Sequence, residues 1–383
     1  MRKTINIGDL GTIITGKTPP TTNKNYYGDY AVFIKPTDIS EHSKYTYETE
    51  EMYSKLAAEK YESSLIPKGA ICVPCIGTIG TKMTMAPCDC YTNQSINSII
   101  CNENYDNEYV YYLIKNFLPG LKAYNLGTAS GREYVSKSNF EKIELVAEQD
   151  KEIQKKIGVI LSRYDSLIEN YQKQIKLLEE AAQRLYKEWF VDLRFPGHEN
   201  TKIVDGVPEG WTPSQLGQLA EFKRGKTITK KDVIDGDIPV VAGGLEPAYY
   251  CNKSNTAERV ITISGSGANA GFTRMYFEKV WASDCSFVDA SVTPFLHFVY
   301  CYLKANKTTI DNMQKGAAQP HVYAKDINSL SICIPIESVL KSFEGTASKY
   351  FDTISSFQSQ IHLLTEARDR LLPKLMGGEI VLS

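Results

Sequence analysis

The sequence predicts a mixed α/β chain of two globular units, each followed by a long helix, with the two helices pairing as an antiparallel coiled coil. Three observations carry that expectation. The chain repeats its own motifs, each repeat closes on a long apolar seam in steps of three and four, and a strand-like apolar run precedes each seam.

The repeat is read from matched offsets. Ile7-Gly8-Asp9-Leu10 followed by Gly16-Lys17-Thr18 returns as Leu216-Gly217-Gln218-Leu219 followed by Gly225-Lys226-Thr227. Further on, Tyr171-Gln172-Lys173-Gln174-Ile175-Lys176-Leu177-Leu178 aligns without a gap to Phe357-Gln358-Ser359-Gln360-Ile361-His362-Leu363-Leu364. Weaker echoes lie between, with Gly127-Thr128-Ala129-Ser130 against Gly316-Ala317-Ala318-Gln319. The offset shrinks between the first and last matches, so the loops of the first copy are the longer ones. A repeated frame with divergent loops is how one architecture presents two recognition surfaces.

In chain order, residues 1–150 form the first globular unit, which ends on the strand-like Ile143-Glu144-Leu145-Val146. Residues 151–193 form a central helix, whose seam runs Ile153, Ile157, Ile160, Tyr164, Ile168, Tyr171, Ile175, Leu178, Ala182, Leu185 and Trp189. Residues 194–206 are a connector. Residues 207–336 form the second unit, closing on Leu330-Ser331-Ile332-Cys333-Ile334, and residues 337–376 form the distal helix, with a tail over 377–383. Pro373 is expected to end or kink that helix around Leu372. Positions off both seams are polar, so each helix can bury one stripe, and the other helix is its natural partner. Each helix should span about 60 Å at 1.5 Å per residue.

Composition excludes several classes. Of 383 residues, 42% are hydrophobic and 23% charged, which argues for compact globular units. The formal net charge of −2 means that any nucleic-acid contact comes from a local basic surface. Nine cysteines, an odd and scattered set, fit a reducing compartment, so the cytoplasm is expected. No run suits a secretion signal or a membrane span.

Several motifs invite chemistry. Gly11-Thr12-Ile13-Ile14-Thr15-Gly16-Lys17-Thr18 matches the phosphate-loop pattern, which needs a helix opening at Lys-Thr. Pro19-Pro20-Thr21-Thr22-Asn23 follows instead, and the second copy keeps only Gly225-Lys226-Thr227, so nucleotide binding is disfavoured. Cys72-Val73-Pro74-Cys75 and Cys88-Asp89-Cys90 could ligate zinc, yet residues 71–74 also read as a buried strand whose counterpart Val260-Ile261-Thr262-Ile263 has no cysteine. Buried free thiols are the expectation. Gly77-Thr78-Ile79-Gly80 and the 265–271 stretch read as tight turns, and the five histidines form no nameable constellation. What recurs in both copies is a set of polar and basic loop residues: Lys17, Thr18, Lys35, Ser130 and Arg132 in the first, and Arg224, Lys226, Thr227, Arg274, Gln319 and His321 in the second. Phosphates call for Lys, Arg and Thr, and base edges for Arg, Gln, Asn and Ser, so these are the candidate DNA contacts.

The pattern resembles a Type I restriction-modification specificity subunit over essentially the whole chain. It does so through Leu10 with Gly16-Lys17-Thr18-Pro19, Asn93-Gln94-Ser95-Ile96-Asn97, Ala181-Ala182-Gln183-Arg184-Leu185 with Trp189-Phe190, and Pro208-Glu209-Gly210-Trp211. The most specific stretch is Arg368-Asp369-Arg370-Leu371-Leu372-Pro373-Lys374-Leu375-Met376-Gly377-Gly378-Glu379-Ile380. Departures are Gly377, where the family often has Ser, and Ala242-Gly243-Gly244 where the first copy has Lys35-Pro36-Thr37. The resemblance implies two target-recognition domains that each read one half of a bipartite, asymmetric site in double-stranded DNA. It implies docking of two S-adenosylmethionine-dependent adenine-methylating subunits, and in a full system ATP-dependent restriction subunits, for which Leu185, Trp189, Phe190, Leu371 and Leu375 are the candidate contacts. It implies no catalysis, cofactor or metal in this chain, which also has no Asn-Pro-Pro-Tyr or Asp-Pro-Pro-Tyr tetrapeptide. A helical ruler of about 60 Å sets an upper separation on the order of 18 base pairs at 3.4 Å per step. The competing readings are a phosphate-loop nucleotidase using Lys17 and Thr18, and a duplicated scaffold that reads no bases.

Overall fold

The structure is a computed structural model, and it describes residues 2–127, 133–229, 231, 233–314 and 320–382. Its contacts divide into two units: Met1–Tyr171 with Gln360–Ser383, and Gln172–Ser359. The division falls inside both long helices, so each unit combines a globular part with one segment from each helix.

The first unit is built on an antiparallel four-stranded sheet in the order Gly11–Thr15, Ile96–Cys101, Ile71–Pro74, Thr84–Met85. Every residue of Ile71–Pro74 is buried, as a central strand covered on both faces requires, and Pro74 sits at its end, where a missing N–H does least harm. A second sheet orders Tyr27–Gly28, Met52–Tyr53, Ala31–Ile34 and Tyr91–Thr92, the last pair parallel. A two-stranded ladder joins Arg2–Asn6 to Glu144–Glu148. The second unit repeats this plan. Its main sheet orders Lys223–Arg224, Cys285–Asp289, Val260–Ser264, Thr273–Tyr276. Its second sheet orders Tyr249–Cys251, Ile238–Val241 and Trp281–Ala282, again ending on a parallel pair. Thr212–Gln215 and Ser331–Ile334 form the matching ladder. The repeated motifs thus mark a repeated sheet topology.

A helix backs each main sheet, Asn107–Phe117 in the first unit and Leu296–Ala305 in the second, and each buries most of its length. Their N-termini are satisfied differently. In the first unit Asp106 caps its own helix by accepting from the Tyr109 N–H at 3.0 Å, and Gly158 of the central helix leaves room for the close approach. In the second, Phe295 offers no cap, and Glu344 of the distal helix accepts from the N–H groups of His297 and Phe298 at 3.0 and 3.2 Å. The buried His297 ring also stacks on Phe351, 4.6 Å between centroids.

The central helix runs Lys151–Tyr186 and continues as a π-turn over Lys187–Val191. The distal helix runs Glu337–Gly377 without interruption. Pro373 does not end it, which corrects the expectation from sequence. Leu372, Leu375 and Met376, on either side of the proline, are buried in the core of the first unit, and that burial outweighs the one lost backbone bond. The stop comes at Gly378 in the left-handed region, φ +81°, and Arg2 donates to the Leu375 carbonyl at 2.9 Å.

Within the first unit the helix segments run antiparallel. Arg368 pairs with Asp165, both buried, while Ile157 and Leu161 share a core with Leu372, Leu375 and Met376. The Tyr112 hydroxyl donates to the second Asp165 oxygen at 2.5 Å, so the buried carboxylate is held from two sides. Within the second unit the shared stripe is aromatic and apolar, with Ala182 and Tyr186 packed among Phe343, Ala347, Phe351 and Ile354. Among the described residues no helix is long and apolar enough to cross a membrane.

Candidate nucleic-acid interface

Gly-Lys-Thr is repeated because a chain crossing is repeated. In the first unit the Gly16 N–H donates to the Ile96 carbonyl at 3.2 Å, and the Lys17 N–H to the Thr92 carbonyl at 2.9 Å. In the second, Gly225 donates to Cys285 at 2.8 Å and Lys226 to Ala282 at 2.9 Å. A Cβ on Gly16 would lie 2.1 Å from the Thr92 carbonyl oxygen, and one on Gly225 would lie 2.3 Å from that of Ser283. Only glycine lets the chains pass this closely. An aromatic donor then fixes each lysine carbonyl: the Tyr53 hydroxyl at 2.5 Å from that of Lys17, and the Trp281 indole at 2.7 Å from that of Lys226. Gly11–Thr15 is an edge strand, and no helix opens at Lys17, so the backbone forms no phosphate-cradling loop of the nucleotide-binding kind.

Three loops meet beside this crossing by the same bonds in both units. Cys75 donates to Ser95 at 2.7 Å, Val135 to Cys75 at 2.9 Å, and Gly77 to Glu133 at 3.0 Å. Correspondingly, Gly265 donates to Asp284, Val322 to Gly265 and Gly267 to Pro320, each at 3.1 Å. Gly77 and Gly267 have φ near +80°, as tight turns demand. The side chains on this common frame differ. In the first unit the Thr18 hydroxyl donates to the Gln94 side-chain oxygen, both residues being exposed. In the second, Ser266 donates to the Asp284 carboxylate, and the His321 ring stacks on Tyr323 at 5.9 Å.

The candidate DNA contacts fall into three groups. Lys17, Thr18, Arg224, Lys226 and Thr227 are exposed at or beside the chain crossing, with the Lys17 ammonium 3.5 Å from the Ser63 hydroxyl, and His321 lies on the three-loop frame. Lys35 and Arg274 are committed elsewhere. Lys35 pairs with Glu50 at 2.7 Å and Glu51 at 3.3 Å; burial works against its charge, but those carboxylates prevail and hold its pKa above the usual lysine value. Arg274 lies over the Tyr276 ring and pairs with Glu246 at 3.1 Å; there too burial opposes the charge and the neighbouring Tyr276 and Glu246 outweigh it. Ser130, Arg132 and Gln319 lie outside the described residues. Sequence reasoning missed Lys223, Gln94 and Asp284. The signal for Lys223 was present, since Lys223-Arg224 stand where the first copy has Ile14-Thr15.

The cysteines divide between cores. Cys75 belongs to the principal core of the first unit, while Cys72 and Cys90 belong to a separate cluster and Cys88 is exposed. Burial pushes the Cys72 and Cys75 thiols up to about 11 and about 12. Among the described residues no group of three or more His, Cys, Asp or Glu side chains is gathered to hold a metal.

Of the candidate partner contacts, Leu185 lines an open groove of about 380 Å³ with Leu177, Glu180, Ala181, Arg184 and Tyr350. Trp189 and Phe190 are half-buried among Phe343, Phe298 and Trp211, with ring centroids 4.8–5.9 Å apart. Leu371 packs on the core of the first unit, and Leu375, 1% exposed, lies within it and offers no surface. Leu177 and Leu363, both more than half exposed, are apolar helix residues that the seam reading passed over.

The family model described as "Type I restriction modification DNA specificity domain" matches residues 2–180 and 208–369, one match to each repeat. The type I restriction enzyme MjaIX specificity subunit of Methanocaldococcus jannaschii is 28% identical over 98% of this chain and 92% of its own length. The HindI specificity subunit of Haemophilus influenzae is 38% identical over 41% of this chain and 35% of its own. The crystal structure of a type I restriction-modification S subunit from M. genitalium shares the fold, with a TM-score of 0.60 over 98% of this chain and 96% of that one at 18% identity. A duplicated frame, a family match on each copy and a full-length relative converge, and the chain belongs to the family of type I restriction-modification specificity subunits.

Proposed function

We propose that each specificity domain reads one half of a bipartite, asymmetric site in double-stranded DNA, with the long helices setting the gap. Members of this family act with other subunits of the restriction-modification system and on DNA. The observation that carries the proposal is the three-loop frame, identical in its backbone bonds and different in the side chains it presents. Such a frame reads two dissimilar sequences with one architecture. Exposed Lys17, Thr18, Arg224, Lys226 and Thr227, half-buried His321 and, from the sequence, Ser130, Arg132 and Gln319 supply contacts. Two S-adenosylmethionine-dependent modification subunits dock on the helices, at the groove beside Leu185 and the exposed Leu177 and Leu363, and restriction subunits join in a full system. Nine free thiols suit the reducing cytoplasm.

The test is co-expression with a modification subunit, followed by mapping N6-methyladenine across a host genome by single-molecule sequencing. A bipartite motif with a fixed gap is expected, and exchanging residues 207–336 for those of another specificity subunit should change one half of it. A stable complex without sequence-specific methylation favours the scaffold reading.

A further inference from the structure

We infer that the edge strand of the second unit is a clamp for the DNA phosphate backbone, with Lys223, Arg224 and Lys226 as its cations, and that the first unit has no equivalent. The inference rests on the reading that this unit binds DNA. Among the described residues, Lys223–Arg224 is the outermost strand of its sheet, paired on one side only, through Phe287 and Ser286. All three cations are exposed, and none takes part in an ion pair among the described residues. Glu221 is the only acidic residue of 221–229.

Strand geometry sends residues 223 and 224 to opposite faces, so the cations straddle the edge and can reach phosphates on either side of a groove. The equivalent positions of the first unit are neutral and engaged. Ile14 packs half-buried against a core cluster, and the Thr15 hydroxyl donates to the Asn97 side chain at 2.6 Å. Lys17 is the one cation common to both edges. Phosphate contacts fix position and carry no base identity, so the two domains divide the work unequally, with the second supplying more of the salt-dependent grip.

Edge lysines also serve to keep a strand from pairing with another chain, and the test separates the two roles. The complex with its modification subunits is titrated with a fluorescent duplex across a range of salt, using wild type, Lys223→Gln/Arg224→Gln/Lys226→Gln, Lys17→Gln, and the charge-keeping Arg224→Lys/Lys226→Arg. The slope of log affinity against log salt should shrink by about three in the triple variant and by about one in Lys17→Gln, and hold in the charge-keeping variant. The methylated motif should keep both halves and its gap. An unchanged slope accompanied by self-association on gel filtration overturns the clamp in favour of edge protection. A motif degenerate in its second half overturns it in favour of base reading. The slope is measurable on any duplex, so a wild-type complex that prefers no sequence strikes the parent reading while the clamp is still tested.

Discussion

At Gly16 and Gly225 the repeat tolerates no side chain, because the nearest atom a Cβ would meet in each is a backbone carbonyl oxygen that cannot swing away. Gly16→Ala and Gly225→Ala should each destabilise their own unit by about 1–3 kcal/mol, as overpacking does, seen as a lowered calorimetric transition. Gly345→Ala is the contrasting case, since the distal helix has open space there and the change should stabilise by about 0.5–1 kcal/mol. At the thiols, burial holds Cys72 and Cys75 protonated, so brief native alkylation at pH 8 should label exposed Cys88 first, as read by peptide mass spectrometry. Gly-Lys-Thr was legible in the sequence as a repeated motif, but its reason was not. The Thr92 and Ser283 carbonyls that demand the glycines lie far along the chain, and only the fold brings them near. Lys35 and Arg274 illustrate the same gap: as letters they are free cations, whereas in space Glu50, Glu51 and Glu246 claim them.

Among the elements, the helix segments of the first unit are held by a buried polar pair within an apolar stripe. Arg368→Leu alone leaves Asp165 buried with only the Tyr112 hydroxyl, and urea denaturation should show a loss of about 3–5 kcal/mol. Asp165→Leu/Arg368→Leu should recover part of it, because no buried charge is then left unpaired, although the buried Tyr112 hydroxyl loses its acceptor and half-exposed Asp369 its partner. Pro373→Ala restores an N–H to an exposed position of a continuous helix, and a rise in stability of about 1–3 kcal/mol is expected in the same assay. Helix periodicity was the strongest signal in the sequence and located both long helices. What failed was the expectation that proline ends a helix at Pro373, where Leu372, Leu375 and Met376 hold the helix in place through tertiary burial. Ile71–Pro74 was readable as a buried strand from four apolar letters, whereas the sheet order was not, since antiparallel pairing between strands 25 residues apart leaves no periodic trace.

For the whole molecule, a formal charge of −2 gives the isolated chain little long-range attraction for a polyanion. Anisotropy titrations should show weak, salt-sensitive binding by the chain alone and much tighter binding once modification subunits are added; equal affinity in both cases counts against the proposed assembly. The division of the chain carries one more consequence. The first unit is assembled from the opening 171 residues and the last 24, whereas the second is a single stretch. On the ribosome, the first unit is therefore begun before the second and finished after it, because Leu372, Leu375 and Met376 are made only after all of Gln172–Ser359. A polypeptide cut short in the distal helix leaves the first unit with an unfilled core while the earlier-made parts of the second are already complete, so quality control of such fragments is set by the order of translation.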